Sequence, residues 1–360
     1  MNFASDNGAG VAPEIMRAIV DAAKVNTPAY GADDWTARAQ ASLSEIFERH
    51  VAAFLLSTGT AANALALGAV TRGWNGIFCH EEAHIQDDEC GAPELFAAGA
   101  KLVGMPGEAG KITPQVLRET LARYPAGLAK SVQPGALSLS QASEAGTVYT
   151  PREILALSDI AHSSSCAVHM DGARFANALA AIGCSPAELT WRAGIDVLSL
   201  GATKDGALAC EAVIFFDPVE GADFEFQRKR GGHTLSKGRF LGAQMEAWLN
   251  NGLWLDLARR ANAAAQRLSR GLEACADVRL IWPTQVNEVF VALPSALLPP
   301  LRVAGARFYA WSSRAIAPGN EPRPGEAFIR LVCSFETSEA EIDQFLAIVG
   351  ANCRQKQPAI

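Results

Sequence analysis

The sequence predicts an α/β protein in which a mostly parallel central sheet forms a large domain and a smaller α+β domain follows it. Between Val51 and Phe216, short β-rich runs alternate with helical stretches, which is typical of a parallel sheet covered by helices. Beyond that region, a long amphipathic helix precedes a group of closely spaced predicted strands. The length of 360 residues exceeds that of a usual single core, so two domains are expected.

The large domain is predicted from its strands, which are 51-VAAFLL, 76-GIFC, 101-KLVGM, 135-GALSLS, 166-CAVHM, 196-DVLSL and 212-AVIFF. Ala-rich helical segments such as 61-AANALALGAV and 176-ANALAAI lie between them. We therefore assign residues 1–245 to an N-terminal segment and the large domain.

The small domain follows a linking helix, whose apolar stripe has three- and four-residue spacing and consists of Leu253, Leu257, Ala261, Ala264, Leu268 and Leu272. The strands predicted next are 278-VRLIW, 288-EVFVAL, 307-RFYAW and 328-FIRLVCSF, and the closing helix contains Ile342, Phe345, Leu346 and Val349. We assign residues 246–360 to the linking helix and the small domain. The segments 316-IAPGNEPRPGEA and 354-RQKQPAI are predicted loops.

Composition narrows the classes of function. A net charge of -7, with basic residues concentrated only at 228–239, argues against a nucleic-acid partner. The eight cysteines are scattered without a C-x-x-C pair, which suits free thiols in a reducing compartment. Because no basic and apolar leader and no apolar run of membrane-spanning length appear, we expect a cytoplasmic location and no membrane partner.

Three segments carry candidate chemistry. The turn 57-STGTAAN precedes a predicted helix whose N-terminus would favour a phosphate, although a turn that merely caps a helix is the more common explanation of such a segment taken alone. Asp171 and Arg174 follow a predicted strand and would point into the crevice at the sheet edge, or form an ordinary ion pair. Lys204 lies among small residues in 199-SLGATKDGALAC, where a pocket lysine can form a Schiff base, and a surface lysine is the alternative.

The segment 80-HEEAHIQDDECGAPE contains two histidines, His80 and His84, four residues apart. Metal binding is conceivable at this spacing, but the H-E-x-x-H pattern is absent, so we expect no metal. The order of a phosphate turn, a histidine, an aspartate and a lysine at the strand ends of one sheet is what a pyridoxal 5'-phosphate (PLP) site requires.

The sequence resembles the L-threonine aldolase and β-eliminating lyase family of fold-type I PLP enzymes. The resemblance covers nearly the whole chain and runs through 5-SDN, 58-TGTAAN, 84-HIQDDECGAPE, 140-SQASEAGTVYTP, 169-HMDGARFANAL, 201-GATKDGA and 330-RLVCSFET. It implies the aspartate aminotransferase-like fold, with PLP as cofactor and an amino acid as substrate. It also implies a homodimer or homotetramer whose active sites lie at the subunit interface.

The resemblance assigns roles to individual residues. Lys204 would carry the cofactor, Asp171 would meet the pyridine nitrogen, and His84 would stack on the ring and, alone or through a water, take the proton of the β-hydroxyl. The other residues implied to contact cofactor or substrate are Gly59, Thr60 and Thr203 for the cofactor, Arg174 for both, and Ser5 and Arg330 for the substrate carboxylate.

Two regions depart from the family pattern. Many members have a histidine in the segment that corresponds to 140-SQASEAG, and here the counterpart is Ser143 or a neighbour. The basic cluster contains Arg228, Lys237 and Arg239, any of which is a candidate for a contact with the cofactor or a neighbouring subunit.

The function implied is the cleavage of L-threonine, L-allo-threonine or phenylserine-like amino acids to glycine and an aldehyde. β-Elimination or transamination of another amino acid would use the same pocket, since PLP supports many reactions. A third hypothesis is that the chain is a binding or assembly protein without PLP. The presence of both Lys204 and Asp171 argues against it.

Overall fold

A computed structural model describes residues 1–353, and its larger sheet has the mostly parallel arrangement that the sequence predicts. Its seven strands are β1 (Ala52–Leu56), β2 (Asn75–His80), β3 (Lys101–Met105), β4 (Gln133–Ser140), β5 (Ala167–Gly172), β6 (Val197–Gly201) and β7 (Glu211–Phe215). Their order across the sheet is β1-β7-β6-β5-β4-β2-β3, and β7 runs antiparallel to both of its neighbours. The carboxyl ends of β4, β5 and β6 therefore meet at one edge.

Helices cover this sheet and continue through the chain. They are α1 (Pro13–Ala23), α2 (Asp34–Ile46), α3 (Gly59–Val70), α4 (His84–Asp87), α5 (Ala92–Phe96), α6 (Pro114–Ala122), α7 (Pro151–Ser163), α8 (Phe175–Ile182), α9 (Phe224–Arg230), α10 (Arg239–Leu249), α11 (Leu253–Glu273), α12 (Leu298–Val303) and α13 (Glu339–Asn352). Side-chain caps begin several of them, as Thr58 does for α3 by accepting the Ala61 N–H. Among residues 1–353, no helix combines the length and the apolar run needed to cross a bilayer.

The smaller sheet is antiparallel, with strand order β10-β11-β9-β8. Its strands are β8 (Arg279–Leu280), β9 (Glu288–Pro294), β10 (Tyr309–Ala310) and β11 (Glu326–Val332). β8 and β10 are shorter than predicted because Trp282 turns to pack on Phe290, with ring centres 4.9 Å apart, and Arg307 pairs instead with the N-terminal Asn2. The loop predicted after Ile316 is present, and the one predicted from residue 354 lies outside the described residues.

Each sheet has its own core, and α11 contributes to both. Trp254 and Leu257 pack in the core of the larger sheet, whereas Leu268 and Leu272 pack in the core of the smaller one. The predicted helix over 253–272 is therefore present and connects the two cores. The domain boundary between residues 245 and 246 stays a prediction.

The N-terminal segment is anchored in the smaller sheet. Phe3 is buried in its core, donates its N–H to the Arg307 carbonyl at 2.8 Å and accepts the Val332 N–H at 2.9 Å. The residues that follow, Ser5 to Asn7, are thereby delivered to the strand-end edge of the larger sheet.

Candidate active site

Two adjoining cavities lie at the carboxyl ends of β4, β5 and β6. The strand-end cavity, of about 320 Å³, is lined by α3 and the strand ends. The aromatic cavity, of about 500 Å³, is lined by Trp282, Tyr309 and Trp311. The residues common to both linings are Asn7, His84, Glu144, Arg174 and Lys204. Nine of the residues predicted from the sequence line one or both cavities: Ser5, Gly59, Thr60, His84, Asp171, Arg174, Thr203, Lys204 and Arg330.

The N-terminus of α3 forms one end of the strand-end cavity. Thr58 caps the helix through the Ala61 N–H, so the N–H groups of Gly59 and Thr60 at the first turn stay directed outward. A Cβ added at Gly59 would meet no atom within 4 Å, which leaves the approach to this helix end open. Helix N-termini of this kind bind phosphate groups through their N–H groups and dipole.

Asp171 is a buried carboxylate at the end of β5. Its two oxygens accept the Asn63 side-chain N–H at 2.8 Å and the Ala173 N–H at 3.0 Å. Within residues 1–353 no cation forms an ion pair with it. A ring nitrogen of His84 lies within 4.8 Å of Asp171 but is held by Glu89, so the buried carboxylate of Asp171 favours a further positively charged group in the cavity beside it. β5 continues through Gly172, so Asp171 belongs to the strand end rather than to the turn just beyond it.

His84 pairs with the buried Glu89, and their Nδ1 and Oε1 atoms are 2.8 Å apart. The hydrogen bond to Glu89 raises the pKa of His84 to about 9, against the opposing effect of burial. His84 therefore carries a proton at neutral pH. His80 turns elsewhere, with Nε2 3.0 Å from the Gly107 carbonyl oxygen.

A tight loop between β6 and β7 holds Lys204. The next residue, Asp205, is buried and accepts the Trp248 indole N–H, and Gly206 adopts a φ of 99° that closes the turn. The Lys204 amine lines both cavities and makes no hydrogen bond or ion pair with any residue of the described chain. It is thus positioned by its backbone and available to a bound group.

Glu211 is a buried acid beside this lysine that sequence reasoning did not identify. Its Oε2 accepts the Ala202 N–H at 3.2 Å, and the side chain lines the strand-end cavity. Burial raises the pKa of Glu211 to about 7, opposed by the hydrogen bond from Thr203 and the charge of Lys204. Its position at the start of an apolar strand offered no sequence signal.

The two predicted arginines meet at the junction of the two sheets. Arg174 holds Asp6 through two hydrogen bonds of 2.8 and 3.1 Å, and its Nη2 is 3.3 Å from the buried Glu288. Arg330 is 3.7 Å from the same Glu288 oxygen and stacks on Trp311, with Cζ 4.2 Å from the ring centre. The guanidinium of Arg174 is therefore already held by Asp6 and Glu288, whereas that of Arg330 lines the aromatic cavity.

In the segment where many family members have a histidine, Ser140, Ala142 and Glu144 line the strand-end cavity, and of these only Glu144 also lines the aromatic cavity. Ser143, the counterpart predicted by sequence, is buried and bonds to the Ala109 carbonyl at 3.0 Å and to Thr147 at 2.8 Å. Ser143 lines neither cavity, and its neighbour Glu144 lines both.

The basic cluster after α9 lies outside both cavity linings. Arg228 bonds to the Leu55 carbonyl and to Glu225, Arg239 donates to the Ala22 carbonyl, and Lys237 is exposed. A contact with a neighbouring subunit stays a prediction for these residues.

Taken together, the strand-end cavity offers an anion site at α3, a carboxylate for a cationic ring nitrogen at Asp171, and a free amine at Lys204. The aromatic cavity offers a guanidinium and an aromatic wall. This arrangement fits a phosphorylated, amine-reactive cofactor next to a carboxylate-bearing substrate.

Comparisons with known proteins match this chain to a lyase family and to L-threonine aldolases. The sequence model of the β-eliminating lyase family matches residues 2–295. A low specificity L-threonine aldolase from Pseudomonas sp. (strain NCIMB 10558) is 40% identical over 354 residues, which are 97% of each chain. A protein of the same name from Pseudomonas aeruginosa is 40% identical over 340 residues, or 93% of each chain.

Solved structures show the same fold. A threonine aldolase from Leishmania major aligns with a TM-score of 0.90 and 27% identity, covering 98% of this chain and 99% of that one. A lysine-to-alanine variant of serine palmitoyltransferase from S. paucimobilis with a bound PLP–myriocin aldimine aligns with a TM-score of 0.67 and 16% identity, covering 98% of this chain and 86% of that one. At 16% identity, the similarity to serine palmitoyltransferase shows only a shared fold.

Proposed function

The chain belongs to the β-eliminating lyase family, and on that premise we propose that it cleaves β-hydroxy-α-amino acids to glycine and an aldehyde. Its substrates are L-threonine, L-allo-threonine and phenylserine-like amino acids. The family and the fold-type I architecture predicted from the sequence are both confirmed. The observation that carries the proposal is the junction of the two cavities, where Lys204, His84 and Arg174 meet beside an aromatic wall.

PLP is the cofactor, and the residues of the strand-end cavity fit it. Gly59 and Thr60 would hold the phosphate at the open end of α3, with Thr203 and Arg174 further along the cavity. Asp171, without a cation of its own, would pair with the ring nitrogen, and Lys204 would bind the cofactor covalently. When bound, PLP accepts the electron pair released at the substrate Cα.

The arginines would decide which bond at Cα breaks. Only the bond held perpendicular to the cofactor plane breaks readily, and a charge-assisted clamp on the substrate carboxylate sets that orientation. Arg330 is the main clamp in this proposal because Arg174 is already bonded to Asp6, and Ser5 lies in the same lining. His84, protonated by its pairing with Glu89, would stack on the cofactor ring and donate rather than accept a proton.

A product assay tests the function. The purified, PLP-loaded protein is incubated with L-threonine, L-allo-threonine and L-threo-phenylserine, and glycine and aldehyde are quantified. Equal amounts of the two products are expected, with phenylserine accepted because Trp282, Tyr309 and Trp311 line the cavity. Pyruvate or another keto acid as the main product would favour elimination or transamination. A colourless protein that cannot be reconstituted with PLP would favour a non-enzymatic role.

The proposal includes a homodimer or homotetramer with the active sites near the subunit interface. Two exposed apolar side chains support it, Tyr30 and Leu235, which flank a small pocket with His233. The Nδ1 of His233 is 3.4 Å from the hydroxyl of Ser57 in the strand-end cavity, so a partner covering this pocket would lie close to the cofactor. A cytoplasmic location stays a prediction.

A further inference from the structure

Retro-aldol cleavage needs a group that takes the proton of the β-hydroxyl, and His84 is poorly suited to it. A base must be unprotonated when the substrate binds. The 2.8 Å contact with Glu89 keeps the imidazole charged, since it raises the pKa of His84 to about 9. An ionised carboxylate on the wall of the cavities is better suited to accept this proton.

We infer that the carboxylate of Glu144 is this proton acceptor, an inference that rests on the proposed function. Glu144 lines both cavities, at the junction where the proposed function would place the substrate between the cofactor and the aromatic wall. The other residues of that junction are Asn7, His84, Arg174 and Lys204, so Glu144 contributes the carboxylate there. Its Oε1 accepts the His84 backbone N–H at 3.2 Å, and it has no ion pair within residues 1–353.

A rigid turn presents this side chain. Ser143 accepts the Gly146 N–H through its carbonyl at 2.9 Å, and the hydroxyls of Ser143 and Thr147 are 2.8 Å apart. Both hydroxyls bond to the Ala109 carbonyl, at 3.0 and 2.7 Å. A turn held at this many points fixes the carboxylate before substrate binds, which is what efficient proton transfer requires.

The surroundings of Glu144 tune it for this task. Burial is the main factor that raises its pKa, and the negative charge of Asp171 adds to it. The positive charges of His84, Lys204 and Arg174 oppose the shift. A carboxylate with a raised pKa is, in its ionised form, a stronger base than an exposed one.

The proton step balances with this assignment. The β-hydroxyl proton moves to the Glu144 carboxylate, and the electron pair of the O–H bond becomes the second C–O bond of the aldehyde. The Cα–Cβ bond breaks, and its electron pair is left on the glycine fragment. A proton, returned from Glu144 or taken from solvent, then ends on Cα, and glycine is released.

The test compares Glu144→Gln and Glu144→Asp with the wild type and with Glu119→Gln, an exposed glutamate on α6. Four quantities are measured: kcat for L-threonine, its pH dependence, and the Kd values of PLP and of glycine. Glycine lacks a β-hydroxyl, so its binding does not require the base. We expect Glu144→Gln to lower kcat by about 100-fold or more, with both Kd values nearly unchanged. The acid limb of the wild-type profile, where kcat rises with pH, should vanish in this variant and persist in Glu144→Asp.

Each other outcome overturns the assignment. Glu144→Gln with kcat within about threefold of the wild type, or with an unchanged acid limb, removes Glu144 as the base. Parallel losses of glycine and PLP binding indicate a structural role instead. If Glu144→Gln does not fold, Glu144→Asp decides, and an active Asp variant without the acid limb contradicts the inference. A wild type that yields no glycine and aldehyde defeats the proposed function itself, and the role of Glu144 falls with it.

Discussion

The side-chain amide of Asn63 donates to the carboxylate of Asp171 at 2.8 Å. The same nitrogen is 2.9 Å from Oε1 of Glu89, the acid that holds His84. One buried amide on α3 thus orders the acid expected to meet the cofactor ring nitrogen and the acid that charges the histidine expected to stack on the ring.

Asn63→Ala should weaken PLP binding. The change removes one donor from each of two buried carboxylates, Asp171 and Glu89, and hydrogen bonds to charged groups are worth about 1.5–3 kcal/mol each. We expect the Kd of PLP, measured by titrating apoprotein, to rise by about tenfold or more. The matched control is Asn177→Ala, a buried asparagine on α8 that bonds to Asn262 and lines neither cavity. An Asn63 variant whose PLP affinity equals that of this control would contradict the assignment.

Asp171→Asn should abolish most turnover while PLP still binds through its phosphate and Lys204. The neutral amide cannot stabilise a protonated ring nitrogen, so the cofactor loses most of its capacity to accept electrons. We expect kcat to fall by about 100-fold or more, with absorbance and bound PLP as the loading control. Near-normal kcat would assign the role to another acid.

Arg330→Ala should mainly weaken substrate binding, whereas Arg174→Ala should also lower the stability of the protein. Arg330→Ala removes the main carboxylate clamp, so KM rises strongly while PLP loading persists. Arg174→Ala also leaves Asp6 buried without its cation, which typically costs about 3–5 kcal/mol, and leaves Glu288 with only the more distant Arg330. Urea unfolding monitored by fluorescence should show this loss in Arg174→Ala and a smaller one in Arg330→Ala. Equal stabilities of the two variants would refute the distinction.

Lys204→Ala should lose the covalent attachment of the cofactor. Borohydride treatment of the wild type is expected to fix PLP on the peptide 201-GATKDGA, and turnover of the variant should collapse because no other amine releases the product. Lys229 is the internal control, since its amine lies over the Tyr30 ring, 5.3 Å from the centre. An adduct mapped to Lys229 or Lys237, with Lys204 unmodified, would overturn the assignment.

His169 should make the protein less stable in mild acid. It lies under the site, bonded to Ser138 and Ser199, and burial lowers its pKa from 6.5 to about 4. As the pH falls below 6.5, the unfolded chain binds the proton first, so stability is full above that pH and declines down to about 4. Between pH 7 and pH 5 this group should cost about 2 kcal/mol. Urea unfolding at both pH values should show that the free energy of unfolding of His169→Asn falls less between pH 7 and pH 5 than that of the wild type. An equal fall in the two proteins would contradict the interpretation.

The parts of this molecule that the sequence predicted are those governed by local pattern. The strands of the larger sheet agree to within one or two residues, because buried parallel strands are short apolar runs. Asp171 and Lys204 were identified because strand ends of one sheet converge. Asn63, Glu89 and Glu211 were missed, since a polar residue in a helix or at a strand end carries no sign that it is buried.

Tertiary packing decided the rest. The run from Val278 to Trp282 has the composition of a strand, yet the strand covers only Arg279 and Leu280, with one further hydrogen bond from the Ile281 N–H to Phe290, and the Trp282 ring packs against Phe290 and Phe328. Ser143 and Glu144 are adjacent, and which of the two faces the cavity depends on the hydroxyl bonds to Ala109. Such long-range contacts leave no periodic signal in a single sequence.

The two cavities draw on different stretches of the chain. The lining of the strand-end cavity is complete in sequence at Glu211, whereas the aromatic cavity waits for residues from Trp282 to Arg330. The residues proposed to receive the cofactor are therefore synthesised before Arg330, the residue proposed to orient the substrate. Some of them still depend on the later stretch for their position, because Phe3 is anchored by Arg307 and Val332 and Arg174 contacts Glu288.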